Sequence, residues 1–193
     1  MAGAEPVIAP AIVEQPLPYQ DRLDSRTPDQ ITVIVLHCTE LPDLAMARQY
    51  AETIHYPGTQ TGNSGHYYIT REGVIEQWVN PQRVAHHVAN KNLDSIGVEL
   101  VNLGRYPDWH ALNAKMTEPY PEPQIASLIE LINELEQQLP CLQHICGHED
   151  LDDSWVTAAD APSKRVRRKL DPGPLFPWDA VMRCTKLKRP VSL

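Results

Sequence analysis

The sequence predicts an α/β protein, built as a single domain with a central mixed β-sheet flanked by helices. Two observations support this. Apolar runs rich in β-branched residues, typical of strands, alternate irregularly with segments whose apolar residues recur at helical spacing. No internal repeat is present, which favours secondary-structure layers packed around one sheet. At 193 residues the chain is long enough to bury one proper core and short for two.

The first strand is predicted in "ITVIVLH", which is apolar on both faces and therefore belongs in the centre of a sheet. It ends at His37. The next segment, "LPDLAMARQYAETIHY", predicts a short amphipathic helix. Its apolar face consists of Leu44, Ala47, Ala51 and Ile54.

Four further elements follow along the chain. "HYYITREGVIEQWV" predicts a β-hairpin with its turn at Glu72 and Gly73. In "SIGVELV" alternate residues are apolar, which predicts a strand that carries Glu99 on the face opposite its isoleucine. "PQIASLIELINELEQQL" has apolar residues at helical spacings and is the clearest helix. "QHIC" predicts a short strand, and the proline-rich residues 102–123 predict a long loop.

The domain boundaries follow from composition. Residues 1–30 are rich in proline and lack periodicity, so we expect an N-terminal arm. Residues 31–180 contain every predicted strand and helix and form the domain. Residues 181–193 are expected to be a C-terminal tail.

Charge and cysteine content narrow the class of protein. A formal net charge of −8 argues against a nucleic-acid partner, and the basic run "KRVRR" is expected to be a solvated loop. The N-terminal segment has no early basic residues and no apolar run long enough for a signal peptide or a membrane span. Four cysteines without a Cys-x-x-Cys motif fit free thiols in a reducing compartment. We therefore expect a cytoplasmic protein.

Two histidines stand at the ends of predicted strands. His37 ends the first strand, and His148 follows "ICG" in the same way. Functional groups commonly lie beyond the strand ends of α/β sheets, although a histidine there can also be structural. A catalytic zinc needs three protein ligands, and Asp171, held by the neighbouring prolines and glycine, is a candidate third ligand. With eight histidines in the chain, composition alone does not select this triad.

Five motifs in order carry a resemblance to a known family. "VIVLHCT", "SGHYYITREG", "SIGVELV", "GHEDL" and "KLDPGPLFPW" together resemble the zinc-dependent N-acetylmuramoyl-L-alanine amidases of the type 2 amidase family. This family includes the muropeptide-recycling amidase and is similar in fold to phage T7 lysozyme and the peptidoglycan recognition proteins. The resemblance covers roughly residues 31–180 and implies a zinc site at one end of the sheet.

The resemblance implies a role for each matching residue. One Zn²⁺ per chain would be held by the ligands His37, His148 and Asp171. Glu99 would act as the general acid and base, and Lys169 would stabilise the oxyanion of the transition state. His87, in "VAHHVA", matches a histidine near the substrate, although the motif around it departs from the family pattern.

Two departures from the family pattern bear on the substrate. Residues 149–168 form an inserted loop between the second histidine and Lys169, and this loop is expected to be part of the cleft wall or a lid. No basic residue stands in "TGNSGH", where some recycling amidases place one for the stem peptide.

The function implied is hydrolysis of the amide bond between N-acetylmuramic acid, or its 1,6-anhydro form, and L-alanine. The partner is a muropeptide or peptidoglycan, with soluble anhydro-muropeptides favoured if the protein is cytoplasmic. Delivery to the periplasm or cell wall by a non-Sec route is the alternative. A non-catalytic peptidoglycan-binding module of the same fold is the alternative function.

Overall fold

The structure is a computed structural model that describes residues 11–190; the outer parts of the predicted arm and tail, 1–10 and 191–193, lie outside the described residues. Its centre is a six-stranded sheet. The strands are β1 (Ile12–Glu14), β2 (Val33–Cys38), β3 (Tyr67–Ile69), β4 (Ile75–Gln77), β5 (Ser95–Leu100) and β6 (His144–Gly147). They are arranged in the order β1-β4-β3-β5-β2-β6.

The sheet is mixed, as predicted. β2 pairs in parallel with β5 on one side and β6 on the other, and β3 extends the parallel part beyond β5. β4 runs antiparallel to β3 and forms the predicted hairpin, with Gly73 in the left-handed conformation at its turn (φ 87°). Because β2, β5 and β6 are parallel, their carboxyl ends lie at one edge of the sheet.

The long helix α2 (Glu122–Gln138) covers one face of this sheet. Its leucines and isoleucines pack against the even-numbered residues of β2 and β5 in the main core, which include Ile34, Leu36, Ile96, Val98 and Leu100. Side chains alternate between the two faces of a strand. The odd-numbered residues His37 and Glu99 therefore lie on the opposite face, together and away from the core.

The first helix, α1 (Leu44–Glu52), is shorter than the sequence indicates. Ala47 and Ala51 are buried as predicted. The assignment of Ile54 to the buried face was wrong, because the helix ends before it, where Thr53 adopts an extended conformation, and Ile54 is 40% exposed.

Residues 149–168, predicted to be an inserted loop, have secondary structure of their own. After α3 (His148–Leu151), the strands β7 (Trp155–Thr157) and β8 (Arg165–Arg167) form a separate antiparallel hairpin. α4 (Trp178–Met182) then follows the loop that carries Asp171.

The predicted N-terminal arm also contributes to the sheet. β1 pairs in parallel with β4 as an edge strand, where no strand was predicted. A three-residue strand is too short to show an alternating pattern, and its backbone pairing has no signature in the sequence. Within residues 11–190, no helix is long and apolar enough to cross a membrane.

Candidate metal centre and active site

The two predicted histidines end neighbouring parallel strands. His37 lies near the end of β2, and His148 directly follows β6 at the start of α3. Both side chains are almost fully buried, and their ring centroids are 4.6 Å apart. The parallel pairing of β2 with β6 thus brings the two imidazoles together at one sheet edge.

Asp171 reaches the same point from the loop between β8 and α4. Its Oδ2 atom lies 3.0 Å from Nδ1 of His37 and 3.2 Å from Nδ1 of His148. The loop packs tightly on the end of β6, where a Cβ atom on Gly147 would come within 2.6 Å of Pro172. A side chain at Gly147 would therefore clash with the residue that follows the aspartate.

These three residues fit a metal ion. One ligand atom from each lies within 4.8 Å of the others. Nε2 of His148 and Oδ1 of Asp171 are buried and have no hydrogen-bond partner in the described part of the chain. Two imidazoles and one carboxylate, with a further position left for water or substrate, form a ligand set that catalytic zinc accepts.

The charge states of the group suit metal binding. Burial lowers the pKa of His37 to about 4, although the carboxylate of Asp171 opposes this shift, so the imidazole is neutral near pH 7. Burial acts to raise the pKa of Asp171, but His148, His37 and Lys169 together hold it well below its usual range. A neutral imidazole and an ionised carboxylate are the forms in which these side chains bind a metal.

Glu99 lies beside this group on the adjacent strand. It pairs with His37 in the parallel register of β2 and β5. Burial, together with the negative charge of Asp171, raises the pKa of Glu99 to about 8, and the positive charge of Lys169 opposes the shift. A carboxyl group whose pKa is close to neutral pH can both accept and donate a proton during a reaction.

Lys169 is two residues before Asp171 and is half-buried at the same cavity. Its positive charge lowers the pKa of both Glu99 and Asp171, so the ammonium group is electrostatically close to both carboxylates. This position allows the ammonium group to stabilise negative charge that develops on a substrate bound in the cavity.

His87 also reaches this cluster, but with both ring nitrogens engaged. Its Nδ1 lies 3.0 Å from Nε2 of His37, and its Nε2 lies 3.1 Å from Oγ of Ser95. The resemblance places a substrate-contacting histidine here. The structure leaves no free ring nitrogen on His87 for a hydrogen bond to substrate.

A cavity of about 620 Å³ opens over the cluster, and all six predicted site residues line it. The rest of its lining includes aromatic, aliphatic and cationic side chains. Tyr50 and Tyr56 line it from α1 and the following loop, Trp109 from the long loop after β5, and Val156 and Arg168 from the inserted hairpin. The 149–168 segment is thus part of the cavity wall.

A buried ion pair supports one side of this cavity and was not predicted. Arg105 and Glu40 are 4% and 7% exposed, and the guanidinium group donates to both carboxylate oxygens, at 2.6 and 2.9 Å. The same guanidinium donates to the backbone carbonyls of Arg167 and Arg168, immediately before Lys169. The two partners are 65 residues apart, and nothing local in the sequence indicates the pair.

A mixed α/β sheet with a His-His-Asp group, a carboxylic acid and a lysine at one edge is typical of metal-dependent hydrolases. A sequence model of the N-acetylmuramoyl-L-alanine amidases matches residues 27–174. The chain belongs to this amidase family, and it is an enzyme of this kind. No curated protein sequence matches the chain significantly.

Solved amidase structures share the fold. N-acetylmuramoyl-L-alanine amidase LysC from Clostridium intestinale URNW has a TM-score of 0.66 at 20% identity, covering 93% of this chain and 99% of LysC. AmpDh3 from Pseudomonas aeruginosa has a TM-score of 0.63 at 25% identity, covering 83% of this chain and 63% of AmpDh3. AmiD from E. coli, in complex with the substrate anhydro-N-acetylmuramic acid-L-Ala-D-γ-Glu-L-Lys, has a TM-score of 0.60 at 25% identity, covering 80% of this chain and 57% of AmiD.

Proposed function

We propose that this protein is a zinc-dependent amidase that cleaves the bond between the lactyl group of N-acetylmuramic acid and L-alanine in muropeptides. One observation supports this above all. The possible metal ligands, a proton-exchanging acid and a cation, contributed by separate segments of the chain, converge on one cavity. A structural metal site would not require the acid or the lysine.

The metal would be held by His37, His148 and Asp171. Both histidines direct Nδ1 towards the Asp171 carboxylate, and Oδ1 of that carboxylate is buried without a hydrogen-bond partner among the described residues, so protein contacts alone do not satisfy the group. Zinc in such a site supplies Lewis acidity, which polarises an amide carbonyl and acidifies water.

Glu99 would handle the protons. As a base it takes a proton from the attacking water, and as an acid it gives that proton to the departing amine of L-alanine, because an unprotonated amide nitrogen leaves poorly. The pKa of about 8 places its two protonation states within easy reach at neutral pH.

Lys169 would bind the oxyanion that develops on the former carbonyl oxygen. One well-placed donor of this kind lowers the barrier by about 3 kcal/mol, or roughly 10²–10³ in kcat. The rigid "DPG" turn after it and the Arg105 contacts before it restrict the backbone that carries it.

The substrate class is supported by the size of the cavity and by the related complex. A volume of about 620 Å³ lies within the range of small-molecule sites, and AmiD was solved with an anhydro-muropeptide. The aromatic side chains offer stacking surface to a sugar ring, and Arg168 offers a partner for a stem-peptide carboxylate. The cytoplasmic location stays a prediction, which cell fractionation would test.

Incubation of each of two substrates with the purified, zinc-loaded protein tests the proposal. We expect free peptide from a soluble anhydro-muropeptide, and a second reaction with intact sacculi measures the preference between the two. Glu99→Gln should keep substrate binding and lose turnover, and Lys169→Met should lower kcat by about 10²–10³ with a smaller change in KM. If the loaded wild-type protein binds muropeptide but releases no peptide, it is a binding module and the proposal fails.

A further inference from the structure

A chain of hydrogen bonds leads away from His37, on the side opposite Asp171. Nε2 of His37 lies 3.0 Å from Nδ1 of His87, and Nε2 of His87 lies 3.1 Å from Oγ of Ser95. The Ser95 hydroxyl then donates to the backbone carbonyl of Lys91 at 2.5 Å. This series, from His37 to the Lys91 carbonyl, is called the histidine relay below.

The last member of the histidine relay fixes the direction of every bond in it. A backbone carbonyl can only accept, so the Ser95 hydroxyl donates to it and its oxygen accepts from Nε2–H of His87. Nδ1 of His87 then has no proton and accepts from Nε2–H of His37. This leaves Nδ1 of His37 with a lone pair, directed at the place where Asp171 and His148 converge.

Other parts of the chain hold His87 in the histidine relay. A Cβ atom on Gly97 would lie 2.6 Å from Cγ of His87, so the ring occupies space that only a glycine on β5 leaves open. The side chain of Asn92 accepts from the backbone amides of His87 and Val88, at 2.9 and 2.8 Å. The ring is therefore placed by contacts that do not involve the cavity.

The segment that carries Ser95 is also held in place by a buried arginine. The buried guanidinium of Arg26 donates to the backbone carbonyls of Asn92, Leu93 and Ser95, at 2.7–2.9 Å. Since Asn92 holds the backbone of His87 and Ser95 holds its ring, one buried arginine supports both ends of the histidine relay.

We propose that His87 and Ser95 are positioning residues that hold His37 in the tautomer and orientation in which Nδ1 offers its lone pair to a metal ion. This inference rests on the proposed role of His37 as a ligand. Partners of this kind typically change metal affinity by 10–100-fold when they are removed. It also assigns His87 a role other than contact with substrate.

Zinc affinity, measured by competition with a chromophoric chelator, tests the proposal. His87→Leu should weaken zinc binding by about 10–100-fold, and His87→Gln, whose amide oxygen can accept from His37, should restore much of the loss. Ser95→Ala should weaken binding by a smaller factor, because His87 keeps its position but loses its fixed tautomer. His86→Leu, on the same loop, is the matched control and should leave zinc affinity unchanged.

A second measurement does not depend on the metal. ¹⁵N NMR of the metal-free protein should show His87 with its proton on Nε2, and this preference should weaken in Ser95→Ala. If wild-type protein failed to bind zinc, the proposed function would fail. The tautomer of His87 would still show whether the hydrogen bonds of the histidine relay run in the stated direction. Zinc affinity within twofold of wild type in His87→Leu, or a proton on Nδ1 of His87 in wild type, would overturn the proposal.

Discussion

Arg105→Ala is expected to be the most destabilising single change near the cavity. Arg105 makes charge-assisted hydrogen bonds to both oxygens of Glu40, and both side chains are more than nine-tenths buried. Truncation leaves the Glu40 carboxylate buried without its cation. Breaking one partner of a buried pair costs about 3–5 kcal/mol, since the remaining charge keeps its full desolvation penalty.

The loss should also affect Lys169, the proposed oxyanion ligand. Arg105 is the donor to the carbonyls of Arg167 and Arg168, so its removal releases the backbone directly before Lys169. We therefore expect kcat to fall together with stability. A double variant, Glu40→Leu with Arg105→Met, removes both charges and should recover most of the stability, because no unpaired charge remains. It should not recover kcat, because the two carbonyl contacts are still missing.

Urea unfolding of metal-free protein, followed by circular dichroism, measures the change in free energy of unfolding at constant m-value. Asp21→Ala is the matched control, because Asp21 pairs with Arg83 at 3.8 Å on the surface and is 93% exposed. It should cost less than about 1 kcal/mol. A loss under about 1 kcal/mol in Arg105→Ala, or a double variant less stable than the single one, would refute the reasoning.

Two further predictions concern protons and metal. In metal-free protein the pKa of Glu99 is about 8 when folded and near 4.5 when unfolded, so the folded state binds more protons between these values and its stability falls as pH rises. Glu99→Gln should therefore gain stability relative to wild type as pH increases from about 4.5 to 8. The gain should reach about 1–3 kcal/mol, less than the full pKa shift implies, because Glu99 retains some solvent contact. Urea unfolding at several pH values checks this, and a difference in unfolding free energy that does not change with pH would contradict it. Zinc at 100 times its Kd should raise the free energy of unfolding by about 2.7 kcal/mol. Removal of the metal with a chelator should abolish turnover, but the protein should keep the far-UV circular dichroism spectrum of its folded state. Thermal unfolding with and without zinc measures the first effect, and loss of the folded spectrum on chelation would instead indicate a structural metal.

The elements that the sequence predicts well are those whose information is local. The long helix and the central strands carry periodic patterns over six or more residues, and the parallel arrangement then places His37 and His148 at one edge. The strands β1, β7 and β8 have three residues each, as β3 and β4 do, but they lack the Glu-Gly turn that marks the β3–β4 hairpin in the sequence. Ion pairs such as Glu40–Arg105 join distant segments through ordinary charged residues, so only the fold reveals them.

The assignment of His87 shows a different limit. A motif indicates that a histidine stands near the active site, but it does not show which way the ring faces. That direction depends on Gly97, which makes room for the ring, and on Ser95, whose hydroxyl oxygen lies 3.1 Å from Nε2 of the ring. Neither residue has a side chain whose chemistry would attract notice in the sequence.

Contacts at both its base and its tip hold the hairpin β7–β8 against the rest of the domain. Its base is tied down where the guanidinium of Arg167 donates to two backbone carbonyls that precede β7, at 2.9 and 3.0 Å. Its tip is tied to the 102–123 loop, because the backbone amide of Ala159 donates to the carbonyl of His110 at 2.8 Å. A lid would have to break the contacts at its tip on every turnover, whereas a wall keeps them. The contacts therefore favour a fixed wall over a lid. Movement of β8 would also displace Lys169, the proposed oxyanion ligand, because the lysine lies two residues beyond the end of β8 in the chain.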